Sequence, residues 1–563
     1  MATLGVFLTQ TTRRLGAALQ STSILGLSLG ILFLAFSLTP SLLPRPVAFQ
    51  GVVSGLSLAA GYALGVCART LWSYLELPLP NAHRHRRLTL AVAATSLTVA
   101  IVFLWEASEW QNSVRRLMSL PDVDGVRPLI VASIACLVFV ALAGVAWGFR
   151  RTFTLLSARL RHVFPRRVAN VLGAVAATAV FWAVAEGVFL RAALGLADSI
   201  SQQVDGTIPP DVASPEDPAR TGSRASLIAW EDLGHQGRAF VTSGPTADQL
   251  HAFFGEATPA PLRVYVGLNA ADTPEARAQL ALRELHRVGG FDRSVLLLVT
   301  PTGTGWVDPA ALTPVEYLHR GDIASVAMQY SYLPSMLALP TEGAYGAESA
   351  RALFRAVYGH WTQLPRETRP ALYLYGVSLG ALNAERSFDA HDIIADPFHG
   401  VLLTGPPFRS ALWHTVTDGR TPGSPAWLPR YRDGSVIRFM NQDGGLERGD
   451  AAWGPFRIAV LHYGSDPMTF FSASTLYRQP AWLAEPRAPD VSTALRWYPV
   501  VTMLQLSADM AVANTAPPGF GHNFAAMHYA SAWLALMEPE GWSPPDIQRL
   551  NELLRRHDRD SGR

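Results

Sequence analysis

The chain has 563 residues, more than one ordinary domain holds, and its formal net charge of +2 gives no electrostatic reason to expect a nucleic-acid partner. All 46 basic residues are arginine, which fits GC-rich coding and carries no chemistry. The only cysteines, Cys67 and Cys136, lie in apolar runs, which excludes a disulfide framework and a cysteine-based metal site.

Mean hydropathy is +0.17, and the excess sits at the front of the chain. Five apolar stretches, near 22–43, 47–68, 88–106, 128–148 and 168–190, each have the length that crosses ~30 Å of hydrocarbon as a helix. None has a polar face, so buried helices of a soluble core are the poorer reading. The first run follows Arg13 and Arg14 as a signal peptide would. It is too long for one, lacks a small-x-small cleavage site, and leads at once into the next span, so it reads as a retained helix.

Arginines concentrate before the first span, between the second and third (Arg69, Arg84, Arg86, Arg87), and between the fourth and fifth (Arg150, Arg151, Arg159, Arg161, Arg166, Arg167). That asymmetry predicts a multi-pass plasma-membrane protein with a cytoplasmic N-terminus and everything after the fifth span outside. Glu106 and Glu186 fall near the outer ends of spans and read as interfacial, with a functional role as the alternative.

The first span contains one G-x-S-x-G string, Gly26, Ser28 and Gly30. It has neither a strand before the serine nor a turn at it, so the glycines read as helix-packing positions. The predicted transmembrane domain covers 1–199. Residues 200–224, rich in Pro, Ser, Asp and Gly, read as a linker.

From 225 to 545, short apolar runs alternate with helical stretches. Strands are predicted at 262–268, 294–300, 323–330, 371–376, 400–407, 435–441 and 457–464. Helices are predicted at 273–288, 342–361 and 378–388, and residues 546–563 read as a polar C-terminal tail. The alternation predicts an α/β domain: a mainly parallel sheet with helices on both faces, behind an all-α transmembrane domain.

A second G-x-S-x-G, Gly376, Ser378 and Gly380, has the context that Ser28 lacks. A strand enters the first glycine, the serine sits on the turn and a helix follows. An ordinary strand–helix turn is the alternative. A nucleophilic serine needs a base, an acid and an oxyanion site. For the acid, "RIAVLHYGSDP" ends a buried strand at Asp466, and Pro467 predicts an extended chain beyond it. Asp443 in "SVIRFMNQDGG" is the alternative acid, although two glycines behind it suit a plain turn.

His522, in the loop "PPGFGH", is the candidate base, with His528 as the alternative; His462 reads as packed in its strand. The oxyanion donors are expected from Leu379, which follows the nucleophile, and from Thr302 or Gly303 in "TPTGTGW". No G-K-[ST] phosphate loop and no metal-ligand spacing such as H-x-x-x-H or H-E-x-x-H appears, and no cofactor is expected.

The stretches "TPSLLPR", "RVYVGLNAADTPEARAQLAL", "TPTGTGWVDP", "VAMQYSYLPS", "LYGVSLG", "RWYPVVT" and "PPGFGH" together resemble a family of membrane-anchored α/β-hydrolase-like proteins common in actinobacteria. The likeness runs from about residue 20 to 540. It implies the α/β-hydrolase fold behind membrane helices. In that family the elbow usually reads G-E-S-L-G; here Val377 stands in the second position. The leading expectation is a serine hydrolase, esterase- or lipase-like, acting on membrane-lipid or cell-envelope esters. An envelope acyltransferase with the same triad, and a non-catalytic envelope scaffold or transport partner, are the alternatives.

Overall fold

The computed structural model describes residues 23–78, 82–125, 127–190, 205, 213–333 and 345–560. The chain forms two compact units. One comprises the N-terminal region to Ala185 together with Phe471–Leu483 and Pro489–Val512; the other holds the remainder.

The first unit is helical. Among the described residues, four helices are long and apolar enough to cross a membrane: Val47–Tyr74, Arg87–Leu117, Pro128–Leu160 and Arg166–Gly187. The first predicted span appears as the shorter helix Ile24–Ser37, capped by Ser23, with residues 1–22 outside the described part. Gly26 and Gly30 face Gly61 and Gly65 of the next helix. A Cβ on Gly65 would lie 2.6 Å from the Gly26 Cα, and one on Gly61 2.9 Å from the Gly30 Cα. The upstream G-x-S-x-G is therefore a helix-packing stripe, with Ser28 buried in mid-helix.

The same unit takes in chain from far downstream. The helix Val501–Ala511 belongs to it, and its Asp509 is met by the "TPSLLPR" segment. Asp509 accepts from Ser41 Oγ at 2.9 Å and from the Leu42 N–H at 3.1 Å, and lies 3.5 Å from Arg45 Nε. Gln505, one turn earlier, donates to the Thr39 carbonyl at 3.0 Å, and Tyr498 stacks on Phe36. Burial pushes the Asp509 carboxyl up to about 6, against the pull of Arg45. Removing one partner of a fully buried ion pair leaves the other charge uncompensated. Asp509→Ala is thus expected to destabilise the helical unit by about 3–5 kcal/mol. A thermal melt in detergent checks this; an unchanged midpoint would mean that water already solvates the pair.

Among its described residues the second unit is built on seven parallel strands: β1 Leu262–Val266, β2 Val295–Thr300, β3 Ile323–Met328, β4 Ala371–Val377, β5 Gly400–Thr404, β6 Ile437–Met440 and β7 Arg457–Leu461. The spatial order is β1-β3-β2-β4-β5-β7-β6. Every residue of β1, β3 and β5 is buried, as expected of strands covered on both faces. All seven strands lie within one to three residues of their predicted spans. The Thr-Pro helix start also holds, with Thr273 Oγ1 accepting the Ala276 N–H at 3.1 Å.

Three boundary expectations need correction. The predicted linker ends in packed chain: Thr221 is fully buried and Arg220 donates to the Val241 carbonyl. The predicted polar tail is the helix Pro544–Asp560, which buries Leu550 and Leu554 four residues apart on one face. The predicted α/β span of 225–545 is interrupted, because 471–483 and 489–512 belong to the helical unit.

Candidate active site

Ser378 and Asp466 follow the carboxyl ends of β4 and β7, the edge where open α/β sheets hold their ligands, and His522 comes to that edge on a loop that follows the helix Val501–Ala511. Ser378 follows β4 with φ 56° and ψ −124°, a strained conformation for a residue with a side chain. The two glycines make the turn possible. A Cβ on Gly376 would stand 2.4 Å from the Gly380 carbonyl oxygen, and one on Gly380 2.2 Å from the Thr300 carbonyl oxygen. The Ser378 N–H donates to the Thr404 carbonyl at the end of β5, which fixes the turn to the neighbouring strand. Val377, buried in β4, points no charge at the site.

Asp466 and His522 come together. His522 Nδ1 lies 2.7 Å from Asp466 Oδ2, both side chains being almost wholly removed from water. The carboxylate only accepts, so Nδ1 donates in this bond. His522 Nε2 is buried and, among the described residues, has no hydrogen-bond partner, so no bond joins it to Ser378. Its ring lies beside Gly405, which follows Thr404: a Cβ there, at φ +51°, would stand 2.7 Å from His522 Cε1. The imidazole thus sits at the strand end that also receives the Ser378 N–H. Catalytic hydrogen bonds often tighten only when substrate is bound.

The surroundings of Asp466 differ from the expectation. Pro467 does not extend the chain; it opens the one-turn helix Pro467–Phe470. Asp466 Oδ1 accepts the Met468 N–H at 2.8 Å, and Thr469 Oγ1 lies 3.4 Å from Oδ2 while donating to the Pro406 carbonyl. The Asp-Pro pair is itself a helix-start signal, with Asp at the cap and Pro in the first turn, and it pointed to these two partners.

The alternatives lie elsewhere. Asp443 is exposed on a turn closed between Asn441 and Gly444, its N–H bonded to Asn441 Oδ1. It follows β6, the edge strand. His528 Nδ1 lies 2.7 Å from the Tyr463 hydroxyl, and burial pushes its pKa down to about 4. His462 is fully buried among Trp413, Phe439 and Phe470, with Nε2 at the Trp427 carbonyl; burial holds it too at about 4.

Of the expected oxyanion donors, Leu379 opens the helix Leu379–Ala384, where its N–H has no acceptor within the helix. The loop after β2 adjoins it, since Thr300 pairs with Gly376 in register. In that loop the Thr302 N–H donates to the Trp306 carbonyl at 2.9 Å, so this amide serves its own turn rather than an incoming oxyanion. Gly303 lies in the same turn. Tyr265 Oη holds the turn from below by donating to the Gly305 carbonyl at 2.8 Å.

Among the described residues, the one cluster with metal-ligand spacing, Asp389, His391 and Asp392, is largely exposed and stands apart from these groups in the chain.

Comparison with known families gives two matches. The model of an alpha/beta-hydrolase family covers residues 262–550, half of the chain, and that of the family's N-terminus covers 38–245. No curated protein and no solved structure matches.

Proposed function

We propose that this chain, which belongs to the alpha/beta-hydrolase family, is a membrane-anchored serine hydrolase that cleaves ester bonds. The observation that carries the reading is the His522–Asp466 pair at 2.7 Å, its imidazole next to Gly405 at the end of the strand whose Thr404 carbonyl receives the N–H of Ser378 on its strained turn.

In this reading His522 Nε2 takes the proton from Ser378 Oγ as Oγ bonds to the ester carbonyl carbon. The carbonyl π electrons move to oxygen, and the oxyanion is met by the Leu379 N–H. Collapse of the tetrahedral intermediate breaks the ester C–O bond, and the imidazolium returns its proton to the leaving alcohol. Water then repeats the sequence on the acyl-serine, its proton passing to His522 and finally to Ser378. Asp466 holds the imidazole in the productive tautomer and stabilises its charge.

The four apolar helices support membrane association, and a site on such a protein favours lipidic or envelope esters, reached by diffusion in two dimensions. The pairing of His522 with Asp466 favours catalysis over a scaffold role. Counting the shorter helix Ile24–Ser37 as a fifth span, we further place the N-terminus in the cytoplasm and the α/β unit outside, on the arginine asymmetry. Two measurements test this. Purified wild type should hydrolyse short-chain p-nitrophenyl esters and lose that activity to a fluorophosphonate. An alkaline-phosphatase fusion after residue 200 should be active; activity there of a cytoplasm-only reporter would reverse the orientation.

A further inference from the structure

The proposed chemistry uses Asp466 and His522 but not the residue before each. Ser465 is fully buried, and its Oγ accepts the Gly521 N–H at 2.9 Å. One residue on along both segments, Asp466 Oδ2 meets His522 Nδ1 at 2.7 Å. The two bonds are consecutive rungs between the same two stretches of chain. Gly521 sits at φ +59°, where glycine is at ease, so its amide is turned toward Ser465 without the strain that a side chain would bring.

The rest of the histidine loop is tied mainly to itself. The His522 N–H donates to the Ala513 carbonyl at 3.0 Å, the Gly519 N–H to the Asn523 carbonyl at 2.8 Å, and Asn523 Nδ2 to the Ala516 carbonyl at 2.8 Å. These bonds shape the loop but do not set its register against the turn after β7. Ties to that turn come from Ser465, from Asp466 and, beyond the loop, from the Tyr463 hydroxyl, which accepts the Ala525 N–H at 3.2 Å. A single bond between the acid and the imidazole is a hinge, about which the ring can swing. A second bond at the adjacent residue removes that freedom.

We propose that Ser465 is a positioning residue: its hydroxyl fixes the backbone next to His522, and so the direction in which Nε2 faces Ser378. The inference rests on Asp466 and His522 being the acid and base of the hydrolase proposed above. It also assigns a purpose to the serine of "GSDP", which neither the turn nor the helix start requires.

The test compares wild type, Ser465→Ala and Ser465→Cys, all full-length in detergent. Readouts are p-nitrophenyl butyrate kinetics, the rate of fluorophosphonate labelling and a thermal melt. Misplacement of a catalytic group by an ångström can cost about a hundredfold. Loss of one of two rungs should cost part of that, about tenfold in kcat, with KM within about twofold because substrate contacts are untouched. The labelling rate should fall in parallel. Ser465→Cys, whose sulfur is a weaker acceptor of similar shape, should lie between the two. The proposal is overturned if Ser465→Ala turns over like wild type, if its loss merely tracks a loss of folded protein, or if the cysteine variant is as slow as the alanine variant. A folded wild type that neither hydrolyses nor labels removes the hydrolase reading itself, and this proposal with it.

Discussion

Ser378→Ala is expected to lower kcat on a p-nitrophenyl ester by about a millionfold, leaving only what oxyanion donors and substrate binding supply without a nucleophile. The variant should fold. Ser378 is buried at a strained turn held by Gly376, Gly380 and the Thr404 carbonyl, and alanine keeps the backbone N–H that makes that bond. A melt close to wild type with abolished turnover is the predicted pair of results. Ser28→Ala provides the control on the other motif match. It removes a hydroxyl from a helix whose packing depends on Gly26 and Gly30, so turnover should be unaffected. Residual turnover of Ser378→Ala within tenfold of wild type would mean that the esterase activity resides elsewhere.

Asp466→Asn is expected to lower kcat by about ten-thousandfold, because an amide in place of the carboxylate favours the wrong imidazole tautomer and withdraws the counter-charge from the imidazolium. The shape of the side chain is retained. The Met468 N–H can still find an oxygen acceptor, so folding should survive. Asp443→Asn should be nearly silent, since Asp443 is exposed on a turn that its neighbours close without its carboxylate. The same ester assay on both variants, with melts alongside, separates them. Loss of orders of magnitude in Asp443→Asn, with Asp466→Asn near normal, would reassign the acid.

Much of this site was legible in the sequence because local chemistry encodes it. Gly376, Ser378 and Gly380 behind a strand specify the elbow, and β-branched and leucine-rich runs specify the seven strands. A proline- and glycine-rich loop marked His522 as a histidine free of regular structure. The choice between Asp466 and Asp443 was a different matter. Both end strands, and both precede His522. Their strands differ in place: β7 lies inside, next to β5 and two strands from β4, whereas β6 crosses outside it to the edge. No residue announces that crossover, because parallel strands of similar composition can exchange places without changing their burial pattern.

Other features escaped for equally physical reasons. The turn at Asp466 was legible, but Pro467 was read as a chain extender rather than as the first residue of a helix, where its missing N–H costs nothing. The final helix looked polar because only one narrow face, with Leu550 and Leu554, is buried. The membership of 471–483 and 489–512 in the helical unit depends on long-range partners. Asp509 reads as an ordinary helical acid until Ser41, Leu42 and Arg45 surround it, more than four hundred and sixty residues earlier in the chain. The fully buried Ser465 shows the same limit at short range: its partner, Gly521, is set by the fold of the loop and not by spacing.

The most direct test of the central claim is to ask which atom of the chain an active-site reagent modifies. Folded full-length protein is treated with a fluorophosphonate, digested, and its peptides are mapped by mass spectrometry. The account predicts one stoichiometric phosphonyl adduct, on the peptide that contains Ser378, with labelling sharply slowed in His522→Ala. An adduct on any other serine of an ester-hydrolysing preparation, or undiminished labelling of Ser378 without His522, would contradict it.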